Sequence, residues 1–161
     1  MSGTYAVRSG TWCHWREQLE ASGEVRMHRA AAEFLVEFGG LNLEIDGRGV
    51  SCAREPFELD PGLCVGEEDR FAGWGADLGC ALFPIGELDR GRFFLGISEI
   101  GEVFLVATWV ASFGIGDAAL ESLILGVMPQ KRLRSVPRWR LIRSVATRSV
   151  IDRWSHVRPS K

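Results

Sequence analysis

Three apolar segments lie close together in the middle of the chain, at residues 81–85, 93–97 and 103–110, with short connections between them. Leu88-Asp89-Arg90-Gly91 and Glu99-Ile100-Gly101-Glu102 fill those gaps with turn-forming and charged residues. A parallel neighbour needs a crossover of roughly a dozen residues or more, so gaps this short leave only antiparallel pairing. The rest of the chain must therefore pack around a central meander.

Helical periodicity flanks it on both sides. Trp12, Trp15 and Leu19 recur at i, i+3 and i+7, and Val25, Ala31, Phe34, Leu35 and Phe38 mark a second helix that Gly39-Gly40 ends. Glu67-Glu68-Asp69 is expected to open a helix over Phe71, Trp74 and Leu78, because three acids in a first turn complement the helix dipole. Gly79 closes it. A fourth helix is expected over Asp117 to Leu125, stopped by Gly126 and Pro129. Leu41-Asn42-Leu43-Glu44-Ile45 alternates as a half-buried strand does, and Asp46-Gly47 then predicts a hairpin with Val50-Ser51-Cys52-Ala53 as its other arm. This order of elements predicts an α+β fold: one domain with a central, mostly antiparallel sheet flanked by helices.

Charge divides the chain in two. Residues 131–161 hold ten Lys and Arg against one acid, Asp152, while the first 130 residues hold nine basic and twenty acidic residues. The expected organisation is a domain over residues 1–130 and a basic tail over 131–161. Within the domain, Glu33 to Glu121 contains 17 acids against Arg48, Arg54, Arg70, Arg90 and Arg92. A surface of one sign repels nucleic acid and attracts basic proteins. The bland counterpart is an acidic surface that only keeps the protein soluble.

Motifs for catalysis fail on inspection. Gly96-Ile97-Ser98-Glu99-Ile100 lacks the last glycine of a nucleophile elbow, so Ser98 reads as a plain strand end. Gly114-Ile115-Gly116-Asp117-Ala118-Ala119 fits a dinucleotide loop, yet the acid expected about 20 residues on falls in Pro137-Arg138-Trp139. His14, His28 and His156 are dispersed, and Cys13, Cys52, Cys64 and Cys80 contain no C-x-x-C pair. No catalytic residue, metal site or cofactor is expected, and the thiols read as reduced and mostly buried. With no apolar run of roughly 18 residues and no signal-like start, the expected compartment is the cytosol.

Several segments taken in order resemble a known family. They are Ala31-Ala32-Glu33-Phe34-Leu35-Val36-Glu37-Phe38-Gly39-Gly40-Leu41, Pro56-Phe57-Glu58-Leu59-Asp60-Pro61, Gly66-Glu67-Glu68-Asp69-Arg70-Phe71 and Leu82-Phe83-Pro84-Ile85-Gly86-Glu87. Phe94-Leu95-Gly96-Ile97-Ser98-Glu99-Ile100-Gly101-Glu102-Val103-Phe104-Leu105 continues the likeness. Across about residues 31–128 the chain resembles the SUKH superfamily, in particular its third subfamily of bacterial immunity proteins. Thr11-Trp12 stands where such proteins often have Gly-Trp, and nothing after Met128 matches. The resemblance implies an α+β domain that binds and neutralises a cognate protein toxin of a polymorphic-toxin system, often a nuclease or nucleic-acid deaminase, without catalysis of its own.

On that reading an acidic face, with Glu67, Glu68, Asp69, Asp77, Glu87 and Asp89 as members, covers the toxin's basic surface, and Trp74 or Trp109 supplies an apolar anchor. Both tryptophans also suit the core, and the 67–69 run also suits a helix start. The tail supports a competing role. Trp139, Ile142, Ala146, Val150 and Trp154 recur at helical steps among Arg138, Arg140, Arg143, Arg148 and Arg153. Such a basic amphipathic segment contacts nucleic acid or an anionic membrane surface, or docks on the acidic domain. The alternative function is accordingly a nucleic-acid-associated regulatory or scaffold protein acting through the tail.

Overall fold

A computed structural model of the chain describes residues 11–133. Its elements are α1 (Thr11–Glu20), α2 (Arg29–Phe38), β1 (Asn42–Leu43), β2 (Gly47–Arg48), β3 (Ala53–Arg54), β4 (Phe57–Glu58) and a 3-10 turn (Pro61–Cys64). Then follow α3 (Glu68–Leu78), β5 (Leu82–Leu88), β6 (Phe93–Ser98), β7 (Glu102–Val106), β8 (Val110–Ile115), α4 (Asp117–Leu125) and β9 (Gln130–Leu133). Seven strands form one sheet in the order β1-β4-β5-β6-β7-β8-β9, and β2 and β3 form a separate pair. Every pairing is antiparallel, so the α+β expectation holds.

The meander has one more strand than the three expected segments. Residues 103–110 contain the end of β7, a tight turn in which the Ala107 amide donates to the Trp109 carbonyl, and the first residue of β8. No Gly, Pro, Asn or Asp marks that turn, and Ala107 and Val110 on either side are buried. Hydropathy therefore runs through it unbroken.

The hairpin expected around Asp46-Gly47 is not formed. Leu43 pairs with Phe57 on β4, and the Leu59 amide donates to the Leu41 carbonyl, which joins this segment to the edge of the main sheet and buries Phe57 and Leu59. Gly47 instead begins the small β2–β3 pair, whose turn over Gly49–Cys52 closes on α4. The amides of Val50, Ser51 and Cys52 donate to the carbonyls of Leu125 and Gly126, groups that a helix end leaves without an intrahelical partner. Long-range burial outweighed a strong local turn signal.

Helices cover both faces of the sheet. Phe71 on α3 lies edge-on to Phe94 and against the bare backbone of Gly96, whereas His28 at the start of α2 lies edge-on to Phe83, the cross-strand partner of Ile97. Consecutive strand residues point to opposite faces, so α2 and α3 sit on opposite sides. Strands β5, β6 and β7 are accordingly buried nearly throughout. The sheet continues to Leu133, past the boundary expected at Gln130, because β9 pairs with β8.

His28 caps α2. Its Nδ1 accepts from the Ala31 amide at 3.2 Å and its Nε2–H donates to the Ile97 carbonyl at 3.1 Å, a pair of roles only the neutral ring can play. Burial holds the imidazole below its ordinary pKa, against opposing contributions from the Ile97 and Ala81 backbone and from Glu99. The unfolded chain thus takes up this proton more readily than the folded one. The stabilisation is complete above about pH 6.5 and is lost as pH falls through the folded value. Thermal melts from pH 8 to pH 5 are expected to show this loss, of about 1 kcal/mol for a cap. His28→Asn, which retains a capping oxygen but cannot titrate, is expected to flatten the profile; an unchanged slope would refute the assignment.

Candidate functional site

The carboxylates that converge lie on the face of the sheet that carries α3. In the segment Pro56-Phe57-Glu58-Leu59-Asp60-Pro61, Phe57 and Leu59 are buried, so the intervening Glu58 and Asp60 turn outward. Glu58 on β4 stands directly opposite Glu87 on β5, and Glu87 in turn opposes Phe94 on β6. Asn42 on β1 donates its Nδ2–H to Glu58 Oε2 at 3.1 Å. Asp60 Oδ1 accepts from the Gly62 amide at 2.8 Å and so caps the 3-10 turn. Glu67 completes the group and pairs with Arg70 at 2.7 Å, whose guanidinium carbon lies 5.2 Å from the centre of the Phe94 ring.

The grouping perturbs the ionisable side chains within it. Burial, then the charges of Glu58 and Asp60, hold the Glu87 carboxyl above the ordinary carboxylate range. Beneath the strip, Cys64 donates its thiol to the Gly86 carbonyl at 3.2 Å, and burial pushes that thiol far up, with Glu87, Asp60 and Glu67 adding to the shift. The exposed side chains of Leu63 and Val65 flank the strip in sequence. Glu58, Asp60 and Glu87 have no ion-pair partner among the described residues, whereas nearby Glu44 and Asp89 are paired with Arg90 and Arg92.

This arrangement sorts the residues expected from sequence. Glu67 and Glu87 belong to the strip. Asp89 lies at the end of β5 and binds Arg92 at 2.8 Å. Asp69 and Asp77 are exposed on α3, and Asp77 lies about 15 Å along the helix from Glu67. Two expectations need correction. Glu68 is only 8% exposed, and its Oε2 folds back to accept from the Gly66 amide at 2.9 Å. Trp74 is 0% exposed and donates its indole N–H to the Ala107 carbonyl at 3.1 Å, so it is a core residue rather than a partner anchor. Trp109 is half-buried, 6.3 Å from Phe93 between ring centres, with Lys131 Nζ 5.4 Å above it. Arg138, Arg140, Arg143, Arg148 and Arg153 lie outside the described residues, as do His156 and the apolar positions of the tail. Glu58 and Asp60 were missed, although the alternation through residues 57–60 carries their signal.

Cys52 and Cys64 are buried, Cys80 is half-buried and Cys13 exposed, and all four are free. Burial raises the Cys52 thiol to about 11, so it stays protonated at neutral pH. Among the described residues, no three His, Cys, Asp or Glu side chains are grouped to hold a metal ion. No helix among them is long and apolar enough to cross a membrane.

A family model described as SUKH-3 immunity protein matches residues 9–126, a range that spans α1 through the end of α4. The chain belongs to the SUKH-3 family. The match begins ahead of α1, so the SUKH-3 domain includes the first helix, which the likeness read from Ala31 onward had left out. It ends at Gly126, the left-handed residue that closes α4, leaving β9 and the basic tail beyond it. SUKH-3 membership implies immunity to a toxin, with that toxin as the binding partner. Comparisons with curated proteins and with solved structures found no match.

Proposed function

We infer that this SUKH-3 protein neutralises its cognate toxin in the bacterial cytosol by laying the Glu58–Asp60–Glu67–Glu87 strip on a basic surface of a nuclease-type or deaminase toxin. One observation carries the reading: Glu58 and Glu87 face each other across neighbouring strands, and neither has an ion-pair partner among the described residues, the nearby Arg90 being paired with Glu44. A like-charge pair in that position is destabilising. Such a pair is relieved when a basic partner binds, so its cost to the free protein becomes attraction in the complex. Charge of this kind mainly accelerates association and selects the partner, while apolar side chains such as Leu63 and Val65 supply contact area. The toxin's nucleic-acid-binding surface is the natural counterpart, because it must itself be basic. Occupying it blocks the substrate without any catalysis by the immunity protein.

The test uses the full chain with Glu58→Gln and Glu87→Gln together. Association with the cognate toxin is expected to slow at least tenfold, with a shallower dependence on salt. Stability is expected to rise by about 0.2–1 kcal/mol. The sign follows from Glu87: its folded pKa is raised, so its ionisation penalises the folded state at neutral pH and eases as the pH falls through the raised value. The double variant is expected to lose that acid-side gain. Asp69→Asn with Asp77→Asn, which lie off the strip, is expected to bind almost as the parent does. Equal binding by the parent and the strip variant would overturn the inference.

A further inference from the structure

A second surface lies on the other face of the sheet, where the strip does not reach. Between α2, α4 and the turn that joins β6 to β7 runs a groove made of two adjoining cavities of about 530 and 420 Å³, which share Glu37, Phe38 and Asp117. Its floor is apolar, built from Phe34, Phe38, Leu120 and Ile124. Ile100 and Ile115 at one end are 66% and 56% exposed, among the most exposed large apolar side chains described. Leu125 is exposed at the other end. Water-exposed aliphatic side chains gathered at one cleft mark a contact surface rather than ordinary exterior.

The groove's rim is acidic. Glu33, Glu37, Glu99, Asp117 and Glu121 line it, against Arg29 alone, which Glu33 already binds at 2.7 Å. Glu37, Asp117 and Glu121 have no ion-pair partner among the described residues. An apolar floor within an acidic rim fits a segment that is apolar on one side and cationic on the other. Residues 138–154 of this chain have that composition. Trp139, Ile142, Ala146, Val150 and Trp154 recur at steps of three and four, among five arginines and one acid. Net charges of the two surfaces are opposite and equal.

The tether is short. Leu133 pairs with Val110, and five residues along β8 from Val110 is Ile115 at the groove, a span of about 17 Å. Because β9 is antiparallel to β8, the chain leaves Leu133 directed away from Ile115. Residues 134–138 therefore double back, and their five peptide units, extending at most about the same distance, bring the segment to the near end of the groove. A segment tethered this closely meets the groove at an effective concentration in the millimolar range, which a free partner rarely equals. We propose that residues 138–154 dock in the α2–α4 groove of the same chain, with their apolar positions on its floor and their arginines on its rim. This assignment is independent of toxin binding through the strip.

Amide hydrogen exchange on the full chain, at two protein concentrations tenfold apart, tests it. Residues 139–154 are expected to exchange at least about tenfold more slowly than an unstructured chain, equally at both concentrations. Two full-length variants are expected to abolish that protection: Ile100→Arg with Ile115→Arg, and Glu37→Lys with Glu121→Lys. Both change exposed positions, and unaltered protection of β5 to β8 reports that the domain remains folded. Three results would overturn the proposal. Residues 139–154 exchange at the unstructured rate; their protection survives both variants, which places them elsewhere; or protection rises with concentration, which makes a second copy the occupant.

Discussion

Replacing Trp74 with alanine is expected to remove about 3–5 kcal/mol of stability, among the largest losses from truncating any described side chain. Trp74 is the bulkiest of the fully buried side chains among the described residues, and α3 holds it against the sheet together with Phe71. Its indole N–H also satisfies the Ala107 carbonyl at the turn between β7 and β8, where no residue type marks a turn. Truncation leaves a cavity in the core and withdraws that donor, and each effect adds to the cost. Domains of this size are stable by roughly 5–15 kcal/mol, so the variant is expected to be partly unfolded near physiological temperature. Urea unfolding measures this directly. Trp74→Phe, which retains most of the volume and loses only the hydrogen bond, is expected to lie much closer to the parent. The same pair separates two roles: a core Trp74 makes toxin binding follow stability, whereas a contact residue would lose binding in the Phe variant at nearly parental stability.

Gly86→Ala is expected to be nearly as damaging, by about 3 kcal/mol or more, through the backbone. Gly86 follows Pro84 and Ile85 at an irregularity in the β5–β6 register and has a φ of 153°. A Cβ there would strike the Glu58 carbonyl oxygen and lie 2.9 Å from the Leu59 Cα. Neither obstacle is a side chain able to swing away. Relief requires β4 to move off β5, and that movement would separate Glu58 from Glu87 and withdraw the Gly86 carbonyl from Cys64. Faster exchange of the Leu59 amide, which donates to the Leu41 carbonyl, is therefore expected along with a lower unfolding midpoint. Gly66→Ala is the control: φ is 94° but nothing lies within 4 Å of the added carbon, so conformational strain alone applies. Parental stability and exchange in Gly86→Ala would remove the structural basis of the strip.

How much of this was readable in advance differs between elements for identifiable reasons. Helix α4 spans Asp117–Leu125 and closes on Gly126 as its pattern predicts, because both of its ends are set by residues within it or beside it. Helix α3 likewise closes on Gly79, in the left-handed conformation that favours glycine. The edge strands were not readable. Each of β1 and β4 is two residues long and exists because Leu43, Phe57 and Leu59 reach a sheet whose central strands begin 23 residues or more further on. Sequence distance hid that pairing and made the Asp46-Gly47 turn look sufficient.

The carboxylates show the same division. The excess of acid over base is a property of composition and needs no fold. Which acids act together does need one: Glu67, Glu68 and Asp69 are adjacent, yet near a helix start consecutive residues point about 100° apart. One joins the strip, one folds back on the Gly66 amide and one faces solvent. Local physics, expressed in periodicity, glycine stops and charge, determined the helices, the central antiparallel strands, the family likeness and the sign of the surface. Tertiary structure alone decided which strand edges meet, that Trp74 is core, and that Glu58 opposes Glu87, because these depend on contacts between residues far apart in the chain.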